Sequence, residues 1–214
     1  MVFHVLNRGV GRTRLFLKDA DFEAFERTIV KTLASRPMRI CAYCLMSNHW
    51  HFVLWPQQDG DSGAFMQKLT ITHVRNWQEN RHRVGYGHLY QGRYKSFPVE
   101  SDDHFYQVMR YTERNALRAN LVSRAEDWRW CSLWRRVHGT SEDRRWLSKW
   151  PLPRPRNWAD FVNQPQTEAE LEAIRRSVCR GQPFGNEGWV KKTAKQLGLE
   201  STLRSRGRPR KGAC

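Results

Sequence analysis

Along the chain the apolar positions switch between a period of two and a period near 3.6, and that switching lays out the elements. Phe3-His4-Val5-Leu6-Asn7 predicts a short strand ending in turn chemistry at Arg8-Gly9. Asp19 and Asp21 precede Phe22, Phe25, Ile29, Val30 and Leu33, one face of a helix that Pro37 stops. Met38 to Met46 alternates through Ile40, Ala42, Cys44 and Met46; Ser47-Asn48 turns; and His49 to Trp55 forms a second β-rich run closed by Pro56. Those two runs predict a hairpin. Residues 64–80 predict a helix, 94–99 a strand, and Ser101 caps a helix over 102–119 with Asp102 and Asp103 in its first turn. The order β-α-β-β-α-β-α predicts an α+β domain with helices packed on one face of an antiparallel sheet.

After Val122 the pattern changes. Six of the ten tryptophans lie between Trp128 and Trp158, and Pro151-Leu152-Pro153-Arg154-Pro155 predicts an extended path. Thr167 and Glu170 make a capping box ahead of Leu171, Ile174 and Val178, with Gly181 as the stop. Two short helices are expected around Gly198, and Lys191–Leu203 is a candidate helix-turn-helix. The tryptophans read as core of this extension rather than as a base-stacking platform. The expected division is therefore 1–122 for the sheet domain, 123–203 for a Trp-rich helical extension, and 204–214 for a basic flexible tail.

Charge narrows the class of partner. The chain of 214 residues carries a formal charge of +16, with +4 in residues 1–107 and +12 in 108–214. A sequence pI near 10.3 points to a polyanion, and nucleic acid is favoured over an anionic membrane. No apolar run is long enough to span a bilayer, and five scattered cysteines are no disulfide framework, so a cytoplasmic, nucleoid-associated protein is expected. Cys41 and Cys44 make a lone C-x-x-C whose members, three apart on a strand, should face opposite ways, which argues against zinc.

Two places can carry chemistry. His49 and His51 are two apart on a strand, so both imidazoles project from one face while Trp50 points into the opposite layer. Such a pair can chelate a divalent metal, or simply sit on a solvated sheet face. On the 102–119 helix, Tyr111 and Asn115 are neighbours beside the apolar stripe, with Arg118 one turn on. Joined, they make a chemical set: a metal on His49, His51 and the Asn115 oxygen, a Tyr111 hydroxyl to attack phosphorus, and Arg118 or a nearby cation such as Arg114 to hold a phosphate. In the tail, Arg206-Gly207-Arg208-Pro209-Arg210 matches an AT-hook core; the equal alternative is a basic tail, with Arg204 and Lys211, that adds only non-specific affinity.

The strings FHVLNRG at 3–9, CLMSNHWHFVL at 44–54 and RYTERNALRANLV at 110–122 resemble the single-tyrosine HUH transposases. DWRWCSLW at 127–134 and RGRPRK at 206–211 resemble the branch called REP-associated tyrosine transposases. The resemblance implies a ferredoxin-like sheet, Mg²⁺ or Mn²⁺ as cofactor, and cleavage and joining of single-stranded DNA at palindromic repeat hairpins through a 5′-phosphotyrosine. It implies His49, His51 and Asn115 as the metal ligands and Tyr111 as the nucleophile. One departure is that Met1 directly precedes the first strand, so a basic or DNA-reading N-terminal segment is expected to be either absent or misassigned. Two further readings stay open: a non-catalytic DNA-binding regulator on this scaffold, and a relaxase or replication-initiator nuclease. Monomer and homodimer are equally compatible with the sequence.

Overall fold

A computed structural model describes residues 1–204. Four strands, β1 (Val2–Arg8), β2 (Arg39–Met46), β3 (His49–Trp55) and β4 (Lys95–Val99), form one sheet in the order β2-β3-β1-β4. Every pairing is antiparallel. With α1 (Asp19–Ser35) after β1 and α2 (Asp61–Asn80) after β3, the path is the ferredoxin-like β-α-β-β-α-β.

The sequence predicts the helices on one face; α1 and α2 lie there, and α3 does not. Phe25, Ile29, Phe65 and Leu69 pack there against Val5, Tyr43, Trp50 and Phe52, all buried. The opposite face is also covered. α3 (Asp103–Glu113) and the short α4 (Asn115–Arg118) lie on it, with Phe105, Val108 and Met109 against Ala42, Cys44, Val53 and Phe97. The strands therefore alternate between two apolar layers rather than between core and water.

The remaining helices are α5 (Ser132–Val137), α6 (Ser141–Arg144), α7 (Trp158–Asn163), α8 (Glu168–Arg180) and α9 (Glu187–Leu197). Their tryptophans dock this extension onto the sheet domain. Trp128 donates its indole N–H to the Leu45 carbonyl at 2.9 Å, and Trp150 donates to the Cys41 carbonyl at 3.1 Å. Trp130 stacks on Phe22 with centroids 4.8 Å apart.

Four local expectations change. The cap of α3 is Asp102, whose carboxylate accepts from the His104 amide at 2.9 Å, rather than Ser101. The 102–119 helix is interrupted at Arg114, whose guanidinium is drawn to carbonyls of α7; backbone bonds from Arg114 to Arg110 and from Arg118 to Arg114 still carry the helical path across. The candidate helix-turn-helix is one helix, α9, followed after left-handed Gly198 (φ 65°) by a single 3₁₀ turn. A register shift at Ile40/Ala42 also brings Cys41 and Cys44 into the same apolar layer, where both are free thiols.

Candidate active site

The face of the sheet under α3 carries three histidines. Register fixes them: β1 pairs with β3 so that His4 lies opposite Val53 and His51 opposite Leu6, which makes His4 and His51 diagonal neighbours on one face. Their rings stack at 5.1 Å with planes 8° apart, and His51 Nδ1 is 3.1 Å from His4 Nε2. His49 Nδ1 is 2.7 Å from the Asn48 side-chain oxygen. Each ring of the H-x-H pair thus has one nitrogen engaged by a neighbour, leaving its Nε2 as the free position. Trp50 points the other way, as the alternation requires, and is fully buried.

Tyr111 reaches this face from α3. Its ring centroid is 5.8 Å from that of His51 and 6.0 Å from that of His4, both edge-on. The guanidinium of Arg118 lies over the Tyr111 ring at 4.2 Å. Asn115, one turn from Tyr111, is buried, and its Nδ2 has no partner. His4 Nδ1 and Arg118 Nη1 are likewise buried and unpaired. Polar groups left open in this way incur a desolvation penalty, so their presence together marks a place where something else binds.

Burial makes the imidazoles neutral. It pushes His49 down to about 4 and His4 down to about 3, with the Arg118 cation adding to both; the Asn115 side chain opposes the shift on His49. His51 is lowered well below the usual histidine range by burial, then by His4, His49 and Arg118. A neutral ring offers a lone pair, which is what metal ligation needs. Two imidazole nitrogens and an amide oxygen make a borderline donor set that fits a divalent metal ion.

A cavity of about 470 Å³ opens onto the centre, lined by His49, His51, Tyr111, Arg8, Arg93 and Lys95 among others. Val178 and Cys179 of α8 also line it, so the extension supplies part of the wall. The sequence pattern singles out none of His4, Arg8, Gln91, Arg93 and Lys95 for the site. The signal for His4 was the strand alternation, but it becomes readable only once β1 is known to lie beside β3.

The other candidates separate. Arg114 donates to the carbonyls of Val162 at 3.0 Å and Asn163 at 2.5 Å, at the end of α7. One nitrogen of its guanidinium, Nη1, is thus engaged in holding the extension. Arg204 is exposed at the end of the described chain, and Arg206, Arg208, Arg210 and Lys211 lie outside the described residues. Glu100, Asp102 and His104 bring ligand atoms within 4.8 Å of one another at the start of α3. Glu100, however, already accepts from the backbone and side chain of Asn186 at 2.7 Å, fastening the start of α9.

The profile of the IS200-like transposase family matches residues 1–115. No curated protein matches the chain. Among solved structures, a REP-associated tyrosine transposase bound to a REP hairpin is 19% identical, with 64% of this chain and 78% of that one covered at a TM-score of 0.52. That similarity establishes a shared fold. A candidate transposase from Deinococcus radiodurans R1 is 18% identical over 53% of this chain and 89% of that one, and its TM-score of 0.39 is too low to bear on the argument. The profile spans more than half of the sequence and contains the histidine pair, Tyr111 and Asn115: the chain belongs to the IS200-like transposases.

Proposed function

We propose that this transposase cuts and rejoins single-stranded DNA beside palindromic repeat hairpins, with Tyr111 as nucleophile. The observation that carries the reading is the meeting, within one chain, of the His51 ring and the Tyr111 ring at 5.8 Å, with Asn115 against His49. His49, His51 and Asn115 would hold Mn²⁺ or Mg²⁺. When bound, the cation would polarise the scissile phosphodiester and neutralise charge that builds on its oxygens.

The chain's own residues do the rest. Tyrosine has an ordinary pKa of about 10 and is a poor nucleophile at neutral pH, so its oxygen needs help. The Arg118 guanidinium over the ring has an unpaired nitrogen to offer a phosphate oxygen. The Tyr111 oxygen bonds to phosphorus, the bond from phosphorus to the 3′ oxygen breaks, and the proton lost by the phenol is balanced by the one gained at the new 3′-OH. A 3′-OH from another strand reverses the step and rejoins DNA. His4 accepts the Nδ1 proton of His51, which leaves the Nε2 lone pair of His51 facing the site. Arg8, Arg93 and Lys95 line the cleft along which the strand's phosphates run.

A labelled hairpin oligonucleotide with an unpaired flank, incubated with the protein and Mn²⁺ or Mg²⁺, tests this. The expected product is a protein–DNA species that survives denaturation and is absent in Tyr111→Phe and in chelator. Tight binding without cleavage in any divalent metal would overturn the nuclease reading in favour of a DNA-binding regulator.

A further inference from the structure

A second and larger hollow lies beside the catalytic cleft. It occupies about 1090 Å³ between the outward side of α2 and the segment 84–94. That exceeds the roughly 300–1,000 Å³ of a small-molecule site. Asn7, Gln91, Gly92 and Arg93 belong to the walls of both hollows, so the two are continuous around the ends of β1 and β4. The saddle between them is pinned. Asn7 donates to the Gly92 carbonyl at 3.2 Å, and Arg8 donates to the Gln91 side chain at 3.0 Å.

The chemistry of this groove is specific. From residue 81 to 95 the chain carries Arg81, Arg83, Arg93, Lys95, His82 and His88, and no acid. Arg81 is committed to Asp21 at 2.6 Å; exposed Arg93 lines the groove and exposed Lys95 the adjoining cleft, while Arg83, outside both walls, lies over the Tyr86 ring at 5.6 Å. Glu79, the acid in the groove wall, is held by Arg75 at 2.8 Å, so it does not oppose an anion. Large apolar side chains stand in water here: Ile71, 60% exposed, and Val84, 66%, line the groove, and Tyr86, 76% exposed, follows in the same segment. Unpaired cations alternating with exposed aromatic and aliphatic surface, without acids, suit a polyanion that also carries flat apolar faces. An apolar protein partner would use the aliphatic surface but leave the cations unanswered.

We infer that the groove between α2 and residues 84–94 is a second nucleic-acid site, taking unpaired nucleotides of a DNA strand as it leaves the catalytic cleft. The inference rests on the nuclease reading for its direction, since the cleft is where the strand starts. Phosphates run past Arg93 and Lys95, bases lie against Val84 and Ile71, and Tyr86 offers a stacking surface beside Arg83.

The full chain is titrated with fluorescent hairpins whose oligothymidine flanks grow in length on either side. Affinity is expected to rise with one flank, and Val84→Glu and Ile71→Glu should each remove about tenfold of that gain, the equivalent of one stacked base. Both variants should bind and cut the shortest hairpin as the parent does, because their side chains are exposed and lie outside the catalytic cleft. Iodouracil placed in the long flank should cross-link to the 84–94 segment. A flank effect undiminished in both variants, or cross-links that map elsewhere, overturns the inference. So does a result in which the variants change only self-association in sedimentation, which would make the groove a contact between copies. A wild-type protein that shows the flank effect but never cuts DNA would retain the groove and remove the nuclease reading. Cutting without any flank effect would do the reverse.

Discussion

The two faces of the sheet bury histidines on opposite terms. Under α2, His73 is buried and its Nδ1 accepts from the Tyr90 hydroxyl at 2.5 Å, while Tyr90 accepts the Trp50 indole N–H at 2.9 Å. Nearby, Tyr43 donates to Glu26 at 2.7 Å and accepts from Arg135 at 2.6 Å, and Arg135 pairs with Glu26 at 2.6 Å. These chains of bonds close on themselves. Under α3, by contrast, His4, Asn115 and Arg118 each keep a buried nitrogen with no partner. One strand serves both: Trp50 joins the closed network and its neighbours His49 and His51 join the open one. A closed polar network holds a fold together, whereas an open one is held by the fold for another purpose.

The sharpest way to break this contrast is to remove a ligand. His51→Ala is expected to lower cleavage by at least about a hundredfold. Hairpin affinity should change little, because phosphate contacts dominate binding. Parallel loss of binding and cleavage, read by anisotropy and denaturing gels, would contradict it. Next in size is His4. His4→Phe keeps a stacked ring but no acceptor, and Mn²⁺ affinity measured by calorimetry should fall about ten- to a hundredfold. Thermal stability should hold, since the change also removes an unpaired nitrogen. His4→Gln, whose amide oxygen can accept from His51, should restore part of the affinity. Equal losses in both variants would mean that His4 only packs.

On the closed side, His73→Leu should do the converse. It leaves the Tyr90 hydroxyl without its acceptor and lowers stability by about 1–3 kcal/mol, with metal affinity unchanged. A denaturant series checks it, and an unshifted midpoint would show that the network is not structural. The smallest effect is on pH. Burial holds His4 and His73 down to about 3 and His49 down to about 4, all below the 6.5 of an unfolded chain. The unfolded state therefore takes up protons first as pH falls. Metal-free stability should be level above pH 6.5 and decline below it, by up to about 1.4 kcal/mol per pH unit for each histidine. A urea midpoint that stays flat between neutral pH and the acid range would contradict the burial of these rings.

Much of this was legible in sequence because it is local. The alternation in β2 and β3 set which way His49, Trp50 and His51 face, and helical phase put Asn115 beside Tyr111. The capping box at Thr167 and the stop at Gly181 bound α8 as the pattern predicts. What could not be read depends on distant contacts. Arg110 donates to the carbonyls of Gln164 and Pro165 at 2.7 Å, and Arg114 reaches those of Val162 and Asn163. Glu113, its carboxyl raised by burial, accepts from Ser132 at 2.5 Å and Trp158 at 2.6 Å. Three residues flanking the nucleophile thus lean on the extension, and no periodicity encodes that.

The most direct measurement is to digest the protein–DNA species formed on a cleaved hairpin and find the modified peptide by mass spectrometry. The account predicts a nucleotide on Tyr111 through its 5′ phosphate, with the other fragment ending in a free 3′-OH. DNA attached to another residue, or a cut strand with no protein attached, would contradict it.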